Sequence, residues 1–193
     1  NQNIPIFMKN IVINKTPLKD LKIIKNKPAR DRRGYLSRLF CQKTLSHLMN
    51  KKKICQINKT LTRKKGTVRG LHFQQPPYAE TKIVSCLKGK VWDVVVDLRK
   101  GSSTFLNYYA VELSADNHKS YLIPEGFAHG FQTLTSDCEL LYFHTAEYNK
   151  GSEGAINVVD RKIGIKWPKK ITEISKRDRN HLMLDDDFRG IKL

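Results

Sequence analysis

From residue 31 to about residue 159 the chain is a succession of short runs rich in β-branched and aromatic residues, each closed by Gly, Pro, Asn or Asp. Ile83-Val84-Ser85-Cys86-Leu87 runs into Lys88-Gly89-Lys90, and Val91-Trp92-Asp93-Val94-Val95-Val96-Asp97-Leu98 follows. Two such runs around a glycine predict a β-hairpin. Residues 11–13, 108–113, 120–123 and 139–144 predict further strands. Helix is expected only over 40–49 and just after Ser175, which would cap a short turn ahead of Asp178. Residues 185–190 read as a loose polar tail. A chain of many short strands and almost no helical periodicity is confined to the mainly-β sandwiches and barrels.

The 193 residues suit one domain, and no repeat or low-complexity linker divides them. The 36 Lys and Arg against 18 Asp and Glu give a formal net charge of +18. Such an excess first suggests a nucleic-acid partner. The basic residues are spread along the whole chain, however, with no zinc-finger spacing, RNA-binding aromatic signature or long basic helix. A positive field also draws phosphorylated small substrates. No apolar run approaches the roughly 18 residues of a membrane-spanning helix. Residues 1–14 show no secretory pattern, although a start at Asn1 leaves a removed leader open. Cys41, Cys55, Cys86 and Cys138 lie far apart and read as reduced thiols acting as small core residues, which fits a cytoplasmic location.

Two segments carry the candidate chemistry: Gly66-Thr67-Val68-Arg69-Gly70-Leu71-His72-Phe73-Gln74 and Ile123-Pro124-Glu125-Gly126-Phe127-Ala128-His129-Gly130-Phe131. Each sets a histidine among glycines, where backbone and ligand can approach closely. A lone histidine in a β protein is more often structural than catalytic; two in the same setting leave both readings open. The second segment resembles the second motif of the cupin superfamily, a small double-stranded β-helix (jelly-roll) barrel. The first resembles the first cupin motif but carries Gln74 where metal-binding members have a second histidine. His72 and His129 alone are too few to hold a divalent ion, so no metal is expected. His47, His118, His144 and His181 lack ligand spacing and read as surface or structural residues.

Residues 31–178 resemble the dTDP-4-dehydrorhamnose 3,5-epimerase family. The strings that carry the resemblance are Asp31-Arg32-Arg33-Gly34, Gln56-Ile57-Asn58, Val68-Arg69-Gly70-Leu71-His72-Phe73-Gln74, Asp93-Val94-Val95-Val96-Asp97-Leu98-Arg99, Ser102-Ser103-Thr104-Phe105, Pro124-Glu125-Gly126-Phe127-Ala128-His129-Gly130, Ile163-Gly164-Ile165-Lys166-Trp167-Pro168 and Ser175-Lys176-Arg177-Asp178. The resemblance implies a cupin-like barrel over 31–160, an arm or strands over 1–30 at a dimer interface, and a segment 161–193 that packs on the barrel and carries Asp178. It implies a homodimer with N-terminal strand exchange. The reaction implied is epimerisation of a nucleotide-linked 4-keto-6-deoxyhexose at carbons 3 and 5, without a cofactor. That chemistry needs a base, an acid across the ring and a positive group at the ketone.

By the same matching, His72 is the base, Asp178 its carboxylate partner, Tyr142 the opposite acid and Lys82 the cation at the keto oxygen. Arg33, Gln56, Asn58, Arg69, His129, Tyr148, Glu153 and Arg177 are implied substrate contacts, Arg33 in the partner's site. Asp93, inside an apolar strand, is costly unless paired, and is expected to hold Lys82 or orient His72. The chain departs from the family pattern at Arg38, at Arg177 in place of a lysine, and at Val158-Val159-Asp160. A single-centre epimerase, or one acting on another nucleotide 4-ketosugar such as a GDP-linked heptose, therefore stays as an alternative. So does a cupin that binds a nucleotide sugar or polyanion without turnover; a metal-dependent cupin oxygenase comes last.

Overall fold

A computed structural model describes residues 11–193. Its strands, in chain order, are β1 (Ile11–Lys15), β2 (Lys22–Asn26), β3 (Ala29–Asp31), β4 (Gly34–Leu36), β5 (Gln56–Thr62), β6 (Thr67–Gln74), β7 (Lys82–Lys88), β8 (Lys90–Asp97), β9 (Tyr108–Ser114), β10 (Lys119–Ile123), β11 (Phe127–Thr133), β12 (Cys138–His144), β13 (Glu153–Ala155) and β14 (Glu173–Ile174). The helices are α1 (Gln42–Leu45), continued by a 3-10 turn over Ser46–Met49, and α2 (Lys176–Arg179). Both lie where helix was expected.

Twelve of these strands form two facing sheets, and β3 and β4 form a separate antiparallel hairpin. One runs β1-β2-β10-β7-β12-β5; the other runs β13-β6-β11-β8-β9, with β14 added in parallel to β6. All other neighbours are antiparallel. This is the mainly-β, cupin-like architecture expected from the strand pattern. The arm's first ten residues lie outside the described residues; β1 pairs with β2, and β2 with β10 of the same chain.

The predicted hairpin across Gly89 is corrected. β7 and β8 belong to opposite sheets. Only Gly89, at φ +74°, separates them, one residue short of the commonest hairpin turn, so the chain turns a corner between sheets instead of folding back.

Side-chain alternation explains why the strands read as almost continuously apolar. Val84, Cys86, Val91, Val95, Tyr121, Phe131 and Leu140 fill the space between the sheets. The alternate residues Val94, Val96 and Leu98 face outward, where Ile156, Val158, Ile163 and Ile191 cover them. On the other sheet, Ile83, Leu122 and Phe143 are covered by Leu45 and Met49. The central strands of each sheet are thus buried on both faces. The C-terminal end is part of this cover and not a loose tail. Ile191 is buried and bridges Arg99, Phe188 stacks on Phe105, and Leu184 N–H donates to Asp160 Oδ2. Short apolar residues set among charged ones hold it down. Of the cysteines, Cys86 and Cys138 are buried as expected; Cys41 is half-buried and Cys55 exposed, and all four are free.

One irregularity prepares the site. β6 and β11 pair through His72–His129 and Phe131–Arg69, with a register shift between. A Cβ on Gly70 would lie 2.6 Å from Gly130 Cα, and one on Gly130 2.6 Å from Arg69 O. The glycines let the two backbones touch, and the bulge turns both Arg69 and His72, three residues apart, to the same face. Gly130→Ala is expected to lower stability by about 1–3 kcal/mol, the usual range for overpacking, read as a lower urea midpoint with an unchanged slope.

Candidate active site

A cavity of about 720 Å³ opens at one end of the space between the sheets. Alternation fixes what lines it. On β5, Gln56, Asn58 and Thr60 point inward; on β7, Lys82; on β12, Tyr142 and His144. The facing sheet supplies Arg69, His72 and Gln74 from β6 and His129 from β11. Tyr148, Glu153, Arg177 and Asp178 close the rim.

His72 Nε2 lies 2.8 Å from Asp178 Oδ1. Asp178 is carried by α2, whose cap is the Ser175 hydroxyl accepting from Asp178 N–H at 3.0 Å. Its second oxygen accepts from Gly70 N–H at 3.2 Å. Burial alone would raise the Asp178 pKa, but the His72 hydrogen bond and charge, the Gly70 N–H and Arg177 outweigh it and bring the pKa to about 2. An ionised Asp178 requires a donating Nε2–H, which leaves Nδ1 as the basic nitrogen of His72. Arg177 Nη2 stands 3.2 Å from the same Nε2 and bonds Glu153 at 3.3 Å, so a cation sits beside the dyad.

The second inward histidine, His129, bonds Asp93 Oδ1 at 2.8 Å in full burial. This corrects the expected partners of Asp93. Asp93 and His129 are two places from directly opposed on neighbouring strands, β8 and β11, and both face the interior, whereas Lys82 is already taken by Glu80 at 3.1 Å. Burial pushes the Asp93 pKa up against the pull of His129 and Lys82. Tyr142, between His129 and His144, is pushed up by burial and by the charge of Asp93. It therefore keeps its proton at neutral pH, as a proton donor must.

Ten of the expected side chains besides His72 converge here: Gln56, Asn58, Arg69, Lys82, His129, Tyr142, Tyr148, Glu153, Arg177 and Asp178. Arg33 does not. It lies on the exposed turn between β3 and β4 and pairs with Asp31 at 2.6 Å. Glu80 and His144, which bond at 2.7 Å, were not foreseen as site residues. Spacing could have found them, because Glu80 precedes Lys82 by two and His144 follows Tyr142 by two. Gln74, at the place of the missing metal ligand, spends its amide on the backbone of Tyr78, Glu147 and Asn149. His72, Asp178 and His181 bring three possible ligand atoms within 4.8 Å. The Arg177 guanidinium against His72 opposes a cation there.

The profile of the family described as dTDP-4-dehydrorhamnose 3,5-epimerase matches residues 15–186. The dTDP-4-dehydrorhamnose 3,5-epimerase of Salmonella typhimurium is 40% identical over 176 residues, 91% of this chain and 96% of that protein. The solved structure of a dTDP-6-deoxy-D-glucose-3,5-epimerase of Legionella pneumophila Philadelphia 1, in complex with dTDP-4-keto-L-rhamnose, superposes with a TM-score of 0.86. It is 34% identical and covers 94% of this chain and 98% of its own. ChmJ, a 3'-monoepimerase from Streptomyces bikiniensis in complex with dTDP-quinovose, superposes at 0.81 with 26% identity, covering 88% and 86%.

The lowered Asp178 pKa carries a pH dependence. Its contribution to stability is complete above the ordinary value of 3.8 and is lost as pH falls towards about 2. Asp178→Asn should therefore be less stable than the parent at pH 7, with the gap closing between about pH 4 and pH 2, as measured by urea unfolding across that range.

Proposed function

The chain belongs to the dTDP-4-dehydrorhamnose 3,5-epimerase family, and we propose that its cavity inverts carbons 3 and 5 of a dTDP-linked 4-keto-6-deoxyhexose. The observation that carries this reading is the placement of a His–carboxylate dyad and a protonated tyrosine on opposite sheets of one cavity. A ketone acidifies the hydrogens on its neighbouring carbons, but removal still needs a base matched to neutral pH and a stabilised enolate.

In this reading His72 Nδ1 takes the proton from carbon 3 or 5, and Asp178 stabilises the imidazolium that results. Lys82, whose ammonium is held inside the cavity, faces the developing enolate oxygen. Tyr142 returns a proton from the other face, which inverts the centre. His129, backed by Asp93, is a hydrogen-bonding contact for the sugar. Arg69 and Arg177 suit the diphosphate, because a guanidinium meets phosphate oxygens with two parallel donors. Tyr148 and Glu153, joined at 3.0 Å, suit the nucleoside end with Gln56 and Asn58. No cofactor enters these steps, and the protein acts in the cytoplasm on a soluble substrate.

We further propose a homodimer in which the N-terminal arm meets the partner's sheet and Arg33 reaches the partner's cavity. Support comes from the exposure of Tyr35 and Leu36 on the β3–β4 hairpin and of Ile57 on the edge strand β5, more large apolar surface than a lone subunit gains by leaving open. The likeness to ChmJ, a 3'-monoepimerase, supports a single-centre reading as the second, and one experiment separates the two.

In D2O with dTDP-4-keto-6-deoxyglucose, NMR should show deuterium entering at carbons 3 and 5. His72→Ala should abolish both, and Tyr142→Phe should slow inversion far more than it weakens binding. Exchange at carbon 3 alone would establish the single-centre enzyme. Exchange only with a GDP-linked sugar would change the nucleotide, and binding with no exchange would favour the non-catalytic reading. For the dimer, His72→Ala mixed with Arg33→Ala should recover activity that neither has alone, because one site of each mixed dimer is intact. Mixing without recovery would return Arg33 to a surface role.

A further inference from the structure

Three His–carboxylate pairs converge on the cavity, and the proposed reaction gives a role to only two of them, His72–Asp178 as base and His129–Asp93 as a sugar contact. The third, Glu80–His144, joins the segment entering β7 to the end of β12, at the wall opposite His72. His144 is in register with Lys82 on β7, and Tyr142 with Asn58 on β5. Glu80 and Lys82 are each less than a tenth exposed, where an unpaired charge would be costly. Glu80 Oε1 lies 3.1 Å from Lys82 Nζ, and Oε2 lies 2.7 Å from His144 Nδ1. Burial would raise the Glu80 pKa, but Lys82 and His144 bring it below the usual range, so Glu80 is an ionised acceptor.

The tautomer of His144 follows. An ionised Glu80 can only accept, so His144 Nδ1 donates, and in the neutral ring Nε2 is an acceptor. Asn58 Nδ2 faces that nitrogen at 3.4 Å. The amide of Asn58 is thereby turned one way, NH2 towards His144, with its carbonyl left as the acceptor it offers the cavity. Lys82 has a competing attraction, since its charge is felt by the buried Asp93. A flexible lysine stem without Glu80 has a second place to go.

We propose that Glu80 and His144 are a positioning pair for the reaction: Glu80 holds the Lys82 ammonium at the keto oxygen and away from Asp93, and His144 fixes the direction of the Asn58 amide. The inference rests on the epimerase reading of the cavity. Neither residue exchanges a proton with the substrate carbons; each acts through a neighbour that touches the substrate. His144 also lies against the Tyr142 ring, at 6.1 Å and 17°, so the pair steadies the acid as well.

A double-mutant cycle tests this. Glu80→Gln should lower kcat by about 10- to 100-fold, the scale of a small misplacement, with KM little changed, and Glu80→Asp should recover part of the loss. In a Lys82→Ala background Glu80→Gln should cost almost nothing more, because the group it positions is gone. His144→Ala should raise KM, and Asn58→Ala should absorb that effect. Equal losses from Glu80→Gln with and without Lys82, or a lower Tm with unchanged kcat, would overturn the proposal. A second arm needs no turnover: nitrogen-15 NMR of the parent should find His144 in the Nδ1–H tautomer, and Glu80→Gln should mix the two tautomers. An Nε2–H tautomer in the parent overturns the pair. A parent protein that exchanges no proton with any 4-ketosugar overturns the epimerase reading instead, and the tautomer still decides whether the pair is built as described.

Discussion

The interior of this protein tolerates charge only in pairs, and the site is organised by that rule. Between two sheets, an isolated carboxylate or ammonium would lose its hydration with nothing in return. Asp93 is fully buried and is held by His129; Glu80 bridges Lys82 and His144; Asp178 is held by His72 and the Gly70 N–H. Each carboxylate thereby fixes a tautomer or a charge as well as a position. The groups proposed to move protons are ordered before any substrate arrives, which is where preorganised electrostatics gains over water.

The same packing explains why one end of the sandwich is free for a ligand. The far end is filled by Val84, Cys86, Val91, Val95 and Leu140, and the outer faces are sealed by separate apolar covers. Stability is thus carried by residues away from the cavity. The C-terminal segment serves both purposes, because Ile163 and Ile191 cover one sheet while α2 brings Asp178 over its edge to His72. A change in that cover would reach the site through α2.

Much of the fold was legible from alternation. The strands over 11–13, 108–113, 120–123 and 139–144 and the Ser175 cap stand where their local patterns put them. The hairpin at Gly89 failed because a run buried on both faces looks the same whether it pairs with its neighbour or crosses to the other sheet. The tail failed for a related reason. Leu184, Phe188 and Ile191 are single apolar residues among charged ones, and nothing local shows that a sheet face awaits them.

The sequence by itself determined which residue types enter the cavity. Strand parity sends Gln56, Asn58 and Thr60, or Tyr142 and His144, to one face, and the glycine-flanked histidines mark the places where two backbones approach. Tertiary structure alone decided which carboxylate holds which histidine. The partners in the three pairs are separated by 106, 36 and 64 residues; their contacts depend on sheet order, and that of His72 also on the bulge at Gly70. Only the folded chain brings Glu80 between Lys82 and His144, and it does so because burial leaves no member of that group an alternative partner in water.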